Sequence, residues 1–425
     1  MKKVLVISFN FPPDEIIASR RMWGLVKYLN NYGYYPLVLT KENSGVVSGI
    51  AKIIQTYFPG DIYDMILKKI VFLNPEKFRG KYADFQSSIS GRRSLVDALT
   101  RFLKGIITYP DEKKTWYPFA WSAIEEIFRS EDIKAVISSS APVITHILAN
   151  RVKRKYKVPW IADLRDPWSQ YHSYPYDNIR RCLDKGIERK TLQEADFMVT
   201  VTEPVAEKLS ELHGGRDVKV IHNGFDPDEK QKVALSSKFS IIYTGNIHRG
   251  KQDAKLFLLA IKRLLDEKRI DAECLEINFY GPKRTWLQEE IDECGLSDIV
   301  IQKGVISRKE VIGKQCSSQV LLLFNWTVSE EPGVMTGKIF EYLNAGRPII
   351  AIGGGKSVVT DILERTKTGV CAFNLESLVN ILSDYYEEYL RLGAIAPDGI
   401  RGDIDKYSYV EMSRQFGALL DAVTD

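Results

Sequence analysis

A lysine and a glutamate lie one helical turn apart near the start of a short predicted helix. Gly337 precedes Lys338, and the pattern of apolar residues predicts a helix from about Lys338 to Ala345. Because the N-terminus of a helix attracts anions, and a first-turn lysine is favourable beside a negative charge, this helix start is a candidate phosphate site. Glu341 follows on the same helix face and could bind sugar hydroxyls. An ordinary amphipathic helix with solvated charges would show the same pattern.

Acidic residues follow a second apolar segment, the predicted strand Trp160–Asp163. Asp163 ends this strand, and Arg165 and Asp166 come directly after it. Open α/β sheets bind ligands at the carboxyl ends of their strands, so a carboxylate here could orient or deprotonate a hydroxyl group. An Asp–Arg ion pair that only shapes the turn is an equally good interpretation.

Two series of alternating strands and helices would position these residues. The first series ends near residue 221 and the second begins near residue 240, with a linker at Asn223–Lys238. Alternation of this kind is typical of doubly wound parallel sheets, so we predict an α/β protein with two Rossmann-like domains. The predicted strands are Val4–Phe9, Tyr35–Leu39, Ala135–Ser138, Trp160–Asp163, Phe197–Val201, Val218–Ile221, Ser240–Tyr243, Leu275–Tyr280, Ile299–Lys303, Val320–Phe324 and Pro348–Ile352.

Length and composition disfavour several other classes of protein. A chain of 425 residues with 44% hydrophobic residues predicts two globular domains. The net charge of +4 does not indicate nucleic-acid binding. The first turn lacks Gly-x-Gly-x-x-Gly, which disfavours a nicotinamide enzyme. Scattered cysteines disfavour a zinc site, and no apolar run is long enough for a transmembrane helix. We expect a cytoplasmic protein that needs no metal and no cofactor.

The segment from about Ser44 to Trp116 interrupts the alternation and is long for a connection. Apolar and basic residues mix in stretches that we interpret as helical, one of which includes Ile53 and Ile54. We favour an inserted helical subdomain that covers the sheet. The alternative is a surface that meets anionic lipid or a lipid-linked acceptor, which would give peripheral contact with the inner face of the plasma membrane.

The motifs, taken in order, resemble the family 4 retaining glycosyltransferases of the GT-B fold. Lys338–Pro348 is similar to the motif Lys-x-Phe-Glu-Tyr-x-x-x-Gly-x-Pro of a bacterial surface-polysaccharide branch of that family. The Pro12-Pro13 loop, the segment Asp163–Trp168, the hinge Asn223–Asp226 and the turn Tyr243–Gly245 occur in the family's order.

This resemblance implies a domain arrangement as well as a fold. Two Rossmann-like domains would face each other across a cleft. Residues 1–226 would bind the acceptor and would contain the helical insertion at about 44–116. Residues 227–405 would bind the nucleotide-sugar, and a final helix over residues 406–425 would cross back to the first domain.

The resemblance also implies roles for single residues. Lys338 and a basic residue of the turn after Tyr243, Arg249 or Lys251, would stabilise the departing diphosphate. Glu341 would bind ribose hydroxyls, and Asp166 would act on the acceptor hydroxyl. The other acceptor-side residues would be Asp163 and Arg165, and the other donor-binding residues would be Gly245, Asn246, Gly333, Val334, Met335, Thr336, Gly337, Ser19 and Arg20.

One departure from the family pattern concerns the donor sugar. Gly333 stands where many members carry a first glutamate that contacts this sugar. Glu330 or Glu331 would have to replace it, or the backbone N–H groups of Val334–Gly337 would do so.

Two further departures concern phosphate. Asn246 stands where the family usually has an arginine. Ala18 and Ser19 replace the glycines of the first loop, so that Ser19 and Arg20 would contact phosphate through a hydroxyl and a guanidinium. Alternatively, Ser19 caps the helix and the arginine covers its side.

We predict a retaining, metal-independent, hexosyltransferase-like enzyme. It would move a sugar from a UDP- or GDP-linked donor to a glycan or lipid-linked acceptor in cell-surface polysaccharide or lipopolysaccharide synthesis. One alternative is a GT-B-fold nucleotide-sugar epimerase or hydrolase, which would turn over the donor without an acceptor. The other is a non-catalytic partner subunit, which would bind no nucleotide.

Overall fold

The computed structural model describes residues 1–42, 49–66, 102–171, 174–326, 336–397 and 399–424. The chain divides into two compact units. The first comprises Met1–His222 and Ser413–Asp425, and the second comprises Asn223–Met412. The predicted boundary at residue 226 therefore falls just inside the second unit.

A parallel sheet forms the centre of the first unit. Among the described residues it has seven strands in the order β3-β2-β1-β4-β5-β6-β7. The strands are β1 Lys2–Ser8, β2 Tyr34–Lys41, β3 Lys52–Thr56, β4 Ile133–Ser140, β5 Trp160–Leu164, β6 Phe197–Thr200 and β7 Val218–Val220. The helices are α1 Ile17–Leu29, α2 Tyr117–Ser130, α3 Ile144–Tyr156, α4 Asn178–Leu192 and α5 Glu203–Leu212. Central strands such as β1 and β5 are buried on both faces, which explains their uninterrupted apolar sequences.

The strand β3 contradicts the helix that we predicted through Ile53 and Ile54. These residues pair in parallel with β2, where Ile53 lies opposite Val38 and Ile54 opposite Leu39. The ladder hydrogen bonds to β2 decide the conformation, since five residues with two adjacent isoleucines carry no periodic signal of their own. Residues 62–66 and 102–107 are helical. The rest of the predicted insertion, 67–101, lies outside the described residues.

The second unit is built around another parallel sheet. Its described strands follow the order β10-β9-β8-β11-β12-β13. They are β8 Phe239–Thr244, β9 Leu275–Tyr280, β10 Val300–Gly304, β11 Val320–Phe324, β12 Ile349–Ile352 and β13 Gly369–Ala372. The helices are α6 Ala254–Asp266, α7 Thr285–Glu293, α8 Arg308–Ser317, α9 Lys338–Ala345, α10 Val358–Thr366, α11 Leu375–Leu392 and α12 Arg401–Asp405.

The last helix, α13 Tyr409–Thr424, contributes its later residues to the first unit. The Ser413 hydroxyl donates to the Leu25 carbonyl oxygen at 3.2 Å, and the Tyr34 hydroxyl donates to Asp421 at 2.7 Å. These side-chain hydrogen bonds attach the helix to α1 and β2.

Candidate functional site

The turn after β8 brings Gly245 and Lys338 into direct contact. Gly245 has a φ of +114°, and a Cβ atom at this position would lie 2.3 Å from Lys338 Cε. The lysine side chain therefore crosses the turn through space that only glycine leaves open. Its Nζ lies 5.2 Å from the ring centroid of Tyr243. The structure thus joins two residues that are distant in sequence and that the motifs assigned to the same ligand.

A second glycine keeps the neighbouring turn equally close. Gly281 follows β9 with a φ of +155°, and a Cβ atom there would lie 2.1 Å from the Gly245 carbonyl oxygen. The Gly245 N–H donates to the Tyr280 carbonyl oxygen at 2.7 Å. Two turns whose glycines carry no side chain therefore lie against each other at the carboxyl edge of the sheet, where α/β sheets bind ligands.

Lys338 is a cation that has lost most of its hydration. Burial lowers its pKa, and the nearby Glu341 partly offsets this effect. Among the residues that the structure describes, Lys338 forms no salt bridge. A desolvated ammonium without a direct counter-ion is unfavourable, so this site favours binding of an anion.

Glu341 is held by an ion-pair network on the next turn of α9. Arg308 Nη1 donates to Glu341 Oε1 at 2.8 Å, and Arg308 Nη2 donates to Glu229 Oε2 at 2.5 Å. Gln315 donates to the other oxygen of Glu341 at 3.3 Å. One guanidinium between two carboxylates therefore orients Glu341, whose side chain is still 20% exposed.

The two cations of the predicted basic turn take different positions. Lys251 Nζ lies 4.2 Å from the ring centroid of Trp326, and the Arg249 guanidinium lies 5.8 Å from that of Trp286. Burial is the main cause that lowers the pKa of His248. The positive charges of Lys338, Lys251 and a further arginine lower this pKa by smaller additional amounts. Lys251 and Lys338 therefore act on the same imidazole, whereas Arg249 lies beside Trp286.

That further arginine, Arg284, is a candidate that the sequence motifs missed. Its Nη2 donates to the Asn246 side-chain oxygen at 2.7 Å. The sequence Gly281-Pro282-Lys283-Arg284 directly follows β9, so its place after a buried strand next to β8 was the available signal.

The predicted loop before α9 is described only in part. Thr336 Oγ1 accepts a hydrogen bond from the Lys338 backbone N–H at 3.4 Å, so Thr336 and Gly337 lead directly into the first turn. Gly333, Val334 and Met335, and the candidate replacements Glu330 and Glu331, lie outside the described residues.

In the first unit, Asp163 forms a buried ion pair. Arg21 Nη2 donates to Asp163 Oδ1 at 2.8 Å, and the two side chains are 1% and 0% exposed. The Ser139 hydroxyl donates to Asp163 Oδ2 at 2.8 Å. Burial leaves Asp163 no surface for a ligand, so the ion-pair interpretation applies at this position, and the partner is Arg21 rather than Arg165.

Arg165 and Asp166 line a pocket in the same unit. The pocket has a volume of about 480 Å³, within the range of small-molecule sites. Arg165 Nη2 pairs with Asp166 Oδ2 at 2.7 Å, while the buried Arg165 Nε has no hydrogen-bond partner among the described residues. The other residues that line the pocket include Asn10, Asp111, Trp168, Tyr171, Tyr174, Tyr176 and Arg180.

Arg180 gives this pocket a fixed aromatic wall. Its guanidinium lies 4.7 Å from the ring centroids of both Tyr109 and Tyr176. It donates to Asp184 at 2.8 Å, and Tyr174 donates to the same carboxylate at 2.6 Å. Aromatic faces beside fixed polar groups suit a sugar ring, which has both C–H faces and hydroxyl groups.

Ser19 and Arg20 are the third and fourth residues of α1, so neither is its N-cap. The helix begins at Ile17, and Ile16 occupies the N-cap position with no side-chain cap hydrogen bond, so the alternative in which Ser19 caps the helix is wrong. Ser19 is fully buried, and its hydroxyl has no hydrogen-bond partner among the described residues.

Two Asp-x-Asp sequences bear on the predicted independence from metal. Asp226 is buried and accepts a hydrogen bond from the Asp228 N–H at 3.0 Å. Asp403 and Asp405 pair with Lys406 and Arg401. Within the described ranges, no group of three or more His, Cys, Asp or Glu side chains could hold a metal ion.

In the described part of the chain, none of the helices combines the length and the apolar composition that crossing a membrane requires.

Comparison with known proteins found partial similarity to glycosyltransferases. The family model described as Glycosyltransferase Family 4 matches residues 89–229. The chain is 27% identical over 193 residues to 2-deoxystreptamine glucosyltransferase of Streptomyces kanamyceticus. That alignment covers 42% of this chain and 48% of the relative, so the chain matches about half the length of that protein.

Solved structures match over nearly the whole chain. Sucrose-phosphate synthase from Thermosynechococcus elongatus has a TM-score of 0.62 at 13% identity, with 99% of each chain covered. Anabaena Alr3699/HepE in complex with UDP and glucose has a TM-score of 0.60 at 12% identity, covering 99% of this chain and 100% of that one. The fold is GT-B, as the sequence predicted.

Proposed function

We propose that this chain is a retaining, metal-independent glycosyltransferase of family 4. It would transfer a hexose from a nucleotide diphospho-sugar to a glycan or lipid-linked acceptor. The observation that carries the proposal is the desolvated Lys338 ammonium, which lies across Gly245 at the carboxyl edge of the second sheet without a salt bridge among the described residues. The partial family match and the related glucosyltransferase support it independently.

The second unit would bind the donor. Lys338 and Lys251 would contact the diphosphate, and Glu341, oriented by Arg308, would accept hydrogen bonds from ribose hydroxyls. The UDP-bound structures of the Anabaena protein support testing UDP before GDP. The backbone N–H groups of Val334–Gly337 would contact the donor sugar in place of the missing glutamate.

The reaction would need cations more than a protein base. The bond between the anomeric carbon and the phosphate oxygen breaks, and its electron pair moves to that oxygen. The acceptor oxygen bonds to the same face of the anomeric carbon, and its proton passes to the departing phosphate. Fixed cations stabilise the charge that develops on the diphosphate, which is the largest contribution that a site of this kind can make.

The first unit would bind the acceptor in the pocket of about 480 Å³. Its aromatic side chains would stack on a sugar ring, and the Arg165–Asp166 pair would hydrogen-bond its hydroxyls. Asp166 is 35% exposed, in contrast to the buried Asp163, and it would orient the attacking hydroxyl.

We place this activity in cell-surface polysaccharide or lipopolysaccharide synthesis, in the cytoplasm, with peripheral contact at the inner face of the plasma membrane. The pathway rests on the sequence motifs of the bacterial branch, and the membrane contact rests on the mixed apolar and basic residues in the segment from about Ser44 to Trp116. Binding to vesicles with and without anionic lipid would test the membrane contact, since electrostatic attachment requires the anionic lipid.

A thermal-shift screen tests the donor site directly. A ligand that binds only the folded state raises the melting temperature by mass action. UDP, GDP and their sugars should therefore raise the melting temperature more than the corresponding nucleosides do. In the variant Lys338→Met, the diphosphates should raise the melting temperature much less than in the wild type, because a proposed diphosphate contact is lost.

Two results would redirect the proposal. No shift with any nucleotide would favour a non-catalytic partner subunit. Turnover of the donor at full rate without any acceptor would favour an epimerase or hydrolase of the same fold.

A further inference from the structure

Arg284 reaches the candidate donor site from a neighbouring strand. It is the N-cap residue of α7 and follows Gly281-Pro282-Lys283 at the end of β9. Because β8 and β9 are parallel neighbours, the turns that follow them leave the sheet at the same edge. The contact between Arg284 Nη2 and the Asn246 side-chain oxygen, at 2.7 Å, joins the two turns.

A side chain of β10, the strand next to β9, holds the backbone of Arg284 in place. Gln302 of β10 accepts from the Arg284 N–H at 2.9 Å and donates to the Arg284 carbonyl oxygen at 3.2 Å. The same Gln302 amide donates to the Gln288 side chain at 3.0 Å. One side chain therefore holds both backbone polar groups of Arg284, so the guanidinium starts from a fixed position. Such preorganisation is what a charge-stabilising group requires.

The Arg284 guanidinium has a neutral hydrogen-bond acceptor but no counter-ion among the residues that the structure describes. Its Nη2 donates to the neutral side chain of Asn246, and Arg284 forms no salt bridge within the described part of the chain. Lys338 lies across the adjacent residue, Gly245. The Asn246 side-chain nitrogen lies 3.3 Å from His248 Nε2, and the charges of Lys338, Lys251 and Arg284 add to burial in lowering the pKa of that imidazole, so the three cations surround one place. Such a concentration of positive charge favours a ligand with several negative charges.

We propose that Arg284 is a diphosphate-binding residue, which supplies from β9 the guanidinium that Asn246 does not supply from β8. Its planar guanidinium can donate two parallel hydrogen bonds to phosphate oxygens as negative charge develops there. Asn246 is a positioning residue that holds the guanidinium towards the Gly245 turn. This inference rests on the proposed function, because it requires a diphosphate at this turn.

The test moves the charge rather than only removing it. Arg284→Gln should weaken binding of UDP or GDP by about ten- to a hundredfold, because charge-assisted hydrogen bonds are lost. Binding of uridine or guanosine should not change.

The double variant Asn246→Arg/Arg284→Gln should bind the diphosphate at least tenfold more tightly than Arg284→Gln, and its donor turnover should rise by at least the same factor. Lys283→Gln is the matched control, since it removes an exposed cation one residue away, and it should bind like the wild type. Isothermal titration calorimetry measures binding by the wild type and the three variants, and a turnover assay measures their activity on the donor.

Each outcome bears on a different claim. Wild-type affinity of Arg284→Gln for the diphosphate would overturn the role of Arg284 and leave the donor site standing. An equal loss for diphosphate and nucleoside would assign Arg284 a structural role and also overturn it. If the folded wild-type protein binds neither diphosphate, the proposed function and the role of Arg284 both fail. If Arg284→Gln does not fold, Arg284→Lys replaces it, and unchanged diphosphate affinity in that variant contradicts the need for a guanidinium.

Discussion

Both units carry charged side chains near the carboxyl ends of the strands of a parallel sheet. The two units differ in whether these charges are paired with each other. In the first unit, Arg21 and Asp163 are fully buried and paired with each other. In the second unit, Lys338 and Arg284 form no salt bridge with any described residue, and Lys338 is desolvated.

The comparison separates structural charge from functional charge. A buried ion pair is satisfied internally, and removal of one partner leaves an uncompensated charge that destabilises the fold. A desolvated cation without an ion pair destabilises the empty site and is stabilised when an anion binds. Substitutions of the paired charges should therefore change stability, and substitutions of the unpaired cations should change ligand binding.

Asp163→Asn should have the largest effect on folding. It leaves the Arg21 guanidinium buried without its counter-ion, so the free energy of unfolding of the first unit should fall by about 3–5 kcal/mol. Urea denaturation followed by tryptophan fluorescence measures this change. Donor binding by the protein that remains folded should not change, because the pair lies in the other unit.

Asp132→Asn is the control for that experiment. Asp132 pairs with Lys134 at 2.8 Å, but the two side chains are 77% and 49% exposed. An exposed pair contributes roughly 0–1 kcal/mol, so this variant should unfold like the wild type. Equal effects of the two substitutions would show that the Arg21–Asp163 pair is not structural.

Lys338→Met should show the opposite pattern. Donor turnover should fall by about 10²–10³-fold, because a group that stabilises the developing charge is lost. Stability should stay the same or rise, since the variant no longer buries an ammonium. A turnover assay and a urea denaturation curve on the same sample measure both effects.

Lys255→Met provides the comparison for Lys338→Met. Lys255 is 52% exposed on α6 and lies 3.6 Å from Glu293, so neither turnover nor stability should change. A loss of stability in Lys338→Met with normal turnover would make Lys338 a structural cation and remove the contrast between the units.

The smallest expected effect is the pH dependence caused by His146. Burial lowers its pKa to about 4, and its Nδ1 lies 2.8 Å from the Ser138 hydroxyl. Since an unfolded histidine has a pKa of about 6.5, the unfolded state binds the proton first as the pH falls. The first unit should therefore lose stability below about pH 6.5, by about 2 kcal/mol between pH 7 and pH 5.

His146→Gln should reduce this slope, while His248→Gln in the second unit should keep it. Denaturation curves at several pH values provide the measurement. An unchanged slope in His146→Gln would show that other groups cause the acid sensitivity of the first unit.

The strands that the sequence predicted best lie in the middle of the sheets. Leu275–Tyr280 and Val320–Phe324 have the predicted bounds. They are covered on both faces, so each reads as a continuous apolar run. The strands Lys52–Thr56 and Gly369–Ala372 escaped prediction because they lie at sheet edges and are partly exposed. A tertiary contact requires glycine at position 369, because a Cβ atom there would lie 2.0 Å from the Ile349 carbonyl oxygen of the neighbouring strand.

The sequence alone determined the two α/β series and the helix start at Lys338, because local apolar periodicity and motif spacing carry that information. Only the tertiary structure decided which charges meet. Asp163 pairs with Arg21 from the first helix rather than with nearby Arg165, and Arg284 joins Asn246 from the next strand. Such pairs follow from the order of strands in a sheet, which brings distant segments to one edge and leaves no local pattern in the chain.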